Sequence, residues 1–222
     1  LIFKKKYTSA DWDSFEVSWN FKRNELVKQA DGSVRDSVEK LSAYWASKVE
    51  KLRSIEERLN NVFAESYGVI DEVDTKVKVD DISLKRRFLI DTSHQLIARS
   101  SLIAELISFS VGTMMGRYSL DKDGLVYARS GNESFKELRI EGAYNTFPAD
   151  DDGIIPLASE EWLFEDDATA RFREFIKIVW GVEHLQENLE FVAESLCLNT
   201  IKPKKGESPM ETIRRYFSTQ FF

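Results

Sequence analysis

From Ser33 to Tyr67 apolar residues return at intervals of three and four, and this run constrains the fold more than any other part of the chain. Val38, Leu41, Trp45, Val49, Leu52, Ile55 (or Glu56), Leu59 and Val62 form the stripe. Glu39, Lys40, Lys48, Glu50, Lys51, Arg53, Glu57 and Arg58 fill positions between them. That period describes one face of an α-helix. Gly68 stands where a left-handed C-cap would close it. A helix of roughly 30 residues is about 45 Å long, more than a compact core needs. The spacing predicts a coiled-coil arm, a spacer across a large assembly, or one long helix of a bundle.

Around this run the pattern stays helical. A second helix is expected from about Thr92 to Met115, apolar on more than one face beyond Leu102 and therefore central. Gly112 and Gly116, four apart on one side, predict close approach of another backbone. Two adjacent helices follow. Asp166 or Asp167 caps the first, Gly181 ends it, and Val182 to Leu198 forms the second. After the basic linker Lys202-Pro203-Lys204-Lys205-Gly206, the order Ser208, Pro209, Glu211 fits cap, N1 and N3 of a last helix. The opening segment to Leu26 shows no clean period and reads as irregular or short elements packed by their rings. Short strands are expected around Val77, Val79 and Ile82, at Leu125–Ala128 and at Leu138–Ile140, with a turn at Ser130-Gly131-Asn132. The fold class is mainly α: a long helix plus a helical bundle with a few short strands. Residues 1–84 divide off as aromatic segment, spacer helix and connector, and residues 85–222 as a helical domain.

Charge and composition narrow the function. Between Thr146 and Leu196 thirteen acids face three bases, so the rest of the chain carries a small positive excess within a net charge of −7. That acidic stretch is a poor surface for a phosphate backbone. The single cysteine, Cys197, excludes an internal disulfide and suggests a reducing, cytoplasmic setting; between Leu196 and Leu198 it reads as a structural thiol. No uninterrupted apolar run approaches the ~20 residues of a membrane span, so no membrane partner is expected. The opening Leu1-Ile2-Phe3-Lys4-Lys5-Lys6 looks like the interior of a longer polypeptide.

Catalytic signatures are missing. Gripping a flipped adenine takes a Pro-Pro-aromatic loop after Asn or Asp, yet Pro148, Pro156, Pro203 and Pro209 are all isolated. No Gly-x-Gly turn or Walker-type loop occurs. Asp150-Asp151-Asp152 and Asp166-Asp167 read as a solvated loop and a helix cap, because adjacent carboxylates diverge and so do not converge on a metal. His94 and His184 lie in separate helices and are too few for a metal site or a Ser-His pair. The pair of helices around Gly181 is not a DNA-reading motif, since its second member carries Glu183, Glu187, Glu190 and Glu194 and no Lys or Arg. Basic groups remain at Lys4-Lys5-Lys6, Lys85-Arg86-Arg87, Lys202 with Lys204 and Lys205, and Arg214-Arg215. Several lie near Phe3, Tyr7, Phe88 or Tyr216, a mixture that nucleic-acid grooves use and that ordinary surfaces also show.

Several phrases occur in an order that resembles one family. They are Val17-Ser18-Trp19-Asn20-Phe21, Leu59-Asn60-Asn61-Val62-Phe63 and Ser66-Tyr67-Gly68-Val69-Ile70-Asp71-Glu72. Ile107-Ser108-Phe109-Ser110-Val111-Gly112 then leads into Gly116-Arg117-Tyr118-Ser119-Leu120-Asp121, and Phe147-Pro148 into Ile154-Ile155-Pro156-Leu157. From about Phe15 to Phe217 the chain resembles the region downstream of the catalytic domain in PglX-type adenine-specific DNA methyltransferases of BREX phage-defence systems. Its helix ending in Gly-Arg-aromatic is also similar to one in fused restriction-modification enzymes. Asn20 departs from the Asp expected by that likeness. The family's cofactor and target-base motifs match nothing here, so the resemblance transfers no catalytic residue.

The resemblance implies a parent enzyme that moves a methyl group from S-adenosylmethionine to the N6 of adenine in double-stranded DNA. This segment would be non-catalytic, with no cofactor or metal of its own. It would position DNA or link the catalytic and target-recognition parts of the methyltransferase chain, in contact with other phage-defence proteins. Lys85, Arg86, Arg87, Lys202, Lys204 and Lys205 are the expected phosphate contacts. Arg117 and Tyr118 are singled out by the family phrase, with fixing of a helix end as their alternative role. The rival reading is a protein-interaction scaffold that never touches DNA.

Overall fold

The computed structural model describes residues 2–89, 95–127, 134–160 and 165–221. Among these residues lie eight α-helices and no strand. They are α1 (Ile2–Trp12), α2 (Glu25–Lys28), α3 (Val34–Tyr67), α4 (Gln95–Met114), α5 (Phe135–Ile140), α6 (Ala168–Trp180), α7 (Leu185–Asn199) and α8 (Pro209–Thr219). The mainly α class is as expected, and the expected short strands are not formed. Val79–Asp81 is a 3-10 turn. Leu138–Ile140 belongs to α5, whose start is fixed by a capping box between Ser134 and Glu137; that local bond outweighs the weak strand pattern. Leu125 and Val126 have no regular structure and Tyr127 is in a bend; Val126 N–H donates to the Arg117 carbonyl at 2.9 Å, but no ladder follows among the described residues. Ala128, the Ser130-Gly131-Asn132 turn, Thr92 and His94 lie outside the described residues.

α3 has the bounds its sequence predicts. Ser33 accepts the Asp36 N–H and Asp36 reaches back to the Ser33 N–H, while Gly68 closes the helix at φ 71°. Its first half is held in the body. Asn188 Oδ1 accepts the otherwise orphaned Val34 N–H at 2.7 Å, and Trp180 Nε1 donates to Ser37 Oγ at 2.9 Å. Val34, Val38, Leu41 and Trp45 enter the main core, and Val49 and Leu52 enter a smaller cluster with Tyr7, Ile82 and Leu84. Beyond Leu52 the helix leaves the body: Leu59, Val62, Phe63 and Tyr67 are exposed. The chain returns along it, with Asn60 Nδ2 donating to the Thr75 carbonyl and Val77 N–H to Glu57.

α1 was not visible as a period because its inward positions are Tyr7 and Asp11, four apart and one of them a carboxylate. α4 is the central helix, burying Leu102, Ile103, Leu106, Ile107, Phe109 and Met114. By length and composition Leu96–Met114 could cross a membrane, but 56% of that stretch is buried inside the protein, as in a core helix. α4 and α7 run antiparallel, with Arg99 bonded to Ser195 and Ser100 to Thr200. α7 turns Glu187, Glu190 and Glu194 outward, with Glu183 exposed just before it, and packs its other face on α4, α6 and α8. Asp167 caps α6 through Ala170 N–H, and Ser208 caps α8 with Glu211.

Candidate nucleic-acid interface

The two family-marked residues sit where α4 ends. Gly116 takes φ 73°, which lets the chain turn back so that Tyr118 N–H donates to the Gly112 carbonyl at 3.1 Å. The Tyr118 ring lies stacked on Phe109, with centroids 5.2 Å apart, and edge-on to Phe21 at 5.4 Å. A Cβ on Gly112 would lie 2.6 Å from that ring, and one on Gly116 would lie 2.7 Å from the Phe135 ring. Both glycines therefore admit aromatic rings, where the sequence had predicted a neighbouring backbone. Tyr118 is buried, so its ring braces the helix end; Arg117 beside it is exposed.

Arg117 opens onto a cavity of about 670 Å³ shared with Glu16, Ser108, Met115, Tyr127 and Phe221. Glu16 accepts a hydrogen bond from Ser108 Oγ at 2.8 Å. Burial nevertheless pushes its carboxyl above the usual range, against the pull of Ser108 and Arg117. Trp19, 96% exposed, stands beside a smaller hollow on the same side, again lined by Glu16 and Arg117.

In the Lys85-Arg86-Arg87 cluster Lys85 stays exposed, whereas Arg86 has an internal use. Arg86 is fully buried: its guanidinium pairs with both Glu105 oxygens at 3.0 and 2.8 Å and donates to Ser14. Phe15 lies 4.0 Å beneath it, and Asp11 accepts the N–H groups of Lys85 and Arg86. Lys85 Nζ lies 4.3 Å over the Trp12 ring. Arg87 Nη1 donates to the carbonyls of Ile82 and Leu84. The cluster thus staples α1 to α4, and Arg86 presents no charge to solvent.

Lys204 and Lys205 are exposed on the rim of a groove of about 1010 Å³ that follows α8. Lys202 is exposed in the same linker. The structure brings to this groove Arg173, Arg214 and Arg215 together with the carboxylates Glu160, Glu207 and Glu211, so its cations outnumber its acids by five to three. Arg215 is engaged by Glu207 in a two-bond pair at 2.8 and 2.5 Å, which holds the Glu207 carboxyl below its ordinary range. Arg214 Nε lies 3.9 Å from Asp167. Arg173 is exposed on α6 inside the most acidic part of the sequence, so nothing local marks it; only the packing of α6 on α8 brings it to the lysines. The groove ends at Thr219, two residues before Phe221, which lines the Arg117 cavity. Cations therefore lie at both ends of α8. Eleven helical residues span about 16 Å, close to five base-pair rises of duplex DNA.

Among the described residues no group of three or more His, Cys, Asp or Glu could hold a metal ion. Asp150 and Asp152 accept N–H groups of their own loop, and Asp151 pairs with Arg139. His184 lies 3.8 Å from Glu187 at the start of α7. Cys197 is half-buried, and burial raises its thiol pKa.

No family model matches the chain. Adenine-specific methyltransferase BrxX of Escherichia coli O9:H4 (strain HS) is 50% identical over 222 residues, covering 97% of this chain and 18% of that protein. Adenine-specific methyltransferase PglX of Lacticaseibacillus casei (strain Zhang) is 33% identical over 218 residues, covering 96% of this chain and 16% of its own length. Along nearly its whole length, then, the chain matches one segment of adenine-specific methyltransferases, as its ordered sequence phrases imply, and it spans less than a fifth of these relatives.

Proposed function

We propose that this chain is a non-catalytic segment of an adenine-N6 DNA methyltransferase of a phage-defence, BREX-type system, and that it positions duplex DNA for the catalytic part. The observation that carries this reading is the groove along α8, where Arg173, Lys204 and Lys205 stand exposed together in a chain that matches such methyltransferases. Exposed cations on one ridge neutralise phosphates and fix the register of a duplex without reading its bases. Arg117 at the far end of α8 extends the track. Residues 85–222 supply the α8 groove and most of the helical body, and residues 1–84, whose α3 is rooted in the same core, contribute the long spacer that links it to other parts of the enzyme. S-adenosylmethionine and the methyl transfer belong to the parent enzyme in this reading, which works in the cytoplasm.

Duplex titration of the purified chain across a salt series tests the proposal. Each neutralised phosphate contributes about −0.9 to the slope of log K against log salt. The three groove cations contribute a slope near −3, to which Arg117 adds about −0.9. A flat response, or no binding at low salt, would overturn the reading.

A further inference from the structure

We infer that the outer end of α3 and the loop after it form a docking surface for a protein helix with an apolar ridge and basic flanks. This goes beyond the reading of the α8 groove and does not rest on it.

The stripe that anchors α3 does not stop where the body stops. Val38, Leu41, Trp45, Val49 and Leu52 are buried, and the same spacing of three and four continues through Glu56, Leu59, Phe63 and Tyr67. On the 3.6-residue period these continue the core-facing side. Phe63 is 59% exposed and Tyr67 79% exposed. The returning segment borders them along one edge, where Asn60 donates to the Thr75 carbonyl and Val73 and Thr75 share a cavity with Phe63 and Tyr67, but it leaves both rings open to solvent. Ile70 and Val73 in the loop are exposed as well, and a cavity of about 390 Å³ lies between Phe63, Tyr67, Val69 and Val73. Apolar side chains contiguous with a core stripe and left in solvent mark a surface that another element covers.

Charge selects the occupant. Between residues 54 and 76 the sequence holds six carboxylates and two cations. Duplex DNA and an anionic bilayer are repelled by that balance. A second copy of the same end would set like charges against one another. A helix with Lys or Arg flanking an apolar ridge satisfies both features at once. The outer part of α3 from Ile55 to Tyr67 is about 20 Å long, which suits a partner helix of about thirteen residues.

The test uses two synthetic helical peptides with the same leucine ridge, one flanked by lysines and one by glutamates. Fluorescence anisotropy follows their binding to the purified chain, with sedimentation velocity run alongside. The expected result is one-to-one binding of the lysine peptide, with hydrogen-exchange protection between residues 55 and 75. The double substitution Leu59→Ser, Phe63→Ser should weaken it at least tenfold while helicity by circular dichroism is kept. Tyr67→Ser, Ile70→Ser serves as a second variant with the same expectation. Binding that survives both variants shows charge attraction alone and overturns the proposal. Equal binding of the glutamate peptide, no saturable binding of the lysine peptide, or self-association through this end also overturns it.

Discussion

Arg86 shows how one side chain can look like a ligand contact and serve as an internal brace. Its guanidinium is buried against Glu105, Ser14 and Phe15, and a lone partner left behind would be a charge without compensation. Arg86→Ala should therefore cost about 3–5 kcal/mol in urea unfolding. Arg86→Lys should recover little, because one ammonium cannot reproduce the planar fork. A loss below about 1 kcal/mol in either variant would contradict this role. Glu16 gives a second test at the same scale, through pH. Burial raises its carboxyl pKa in the folded protein, so its protonated form favours folding. That contribution is complete below the unfolded value and disappears as pH rises through the folded one. Glu16→Gln, which still accepts from Ser108, should raise the melting temperature near neutral pH and give no gain in acid. Equal stability at neutral pH would contradict the assignment.

Along single elements, α3 carries two regimes in one helix. Leu52 is buried and Phe63 is not. Leu52→Ala should cost about 2–5 kcal/mol, whereas Phe63→Ala should change stability by less than about 0.5 kcal/mol. Chemical denaturation of the two variants checks this; a large loss at Phe63 would mean that the outer end is packed. Both ends of α3 were legible because Ser33 and Gly68 act within a few residues of the backbone groups they satisfy. So were the caps of α6 and α8 at Asp167 and Ser208. α1 was not, because its inward Asp11 accepts bonds from residues 74 and 75 positions away. Arg173 was missed for a similar reason: its neighbours in the groove come from α8 and the preceding linker. The Lys204-Lys205 pair was legible as a basic run, but sequence could not say that Arg86 turns inward while Lys85 beside it stays exposed.

Across the whole molecule the charges are segregated in a way that suits two partners. The outer end of α3 is acidic and apolar, and α7 shows carboxylates to solvent. The groove along α8 gathers the exposed cations Arg173, Lys204 and Lys205. A duplex held along α8 would meet these cations beside Glu160 and Glu211, with Glu207 tied to Arg215, and the arm would remain available to a protein. Most of the length of the relatives lies outside this match, which leaves room for catalysis elsewhere in them. The most direct measurement is the salt dependence of duplex binding by the triple variant Arg173→Gln, Lys204→Gln, Lys205→Gln beside the parent chain. The slope of log K against log salt should become shallower by about 3, uniformly across duplex sequences. An unchanged slope would place any DNA contact elsewhere and contradict the groove's role.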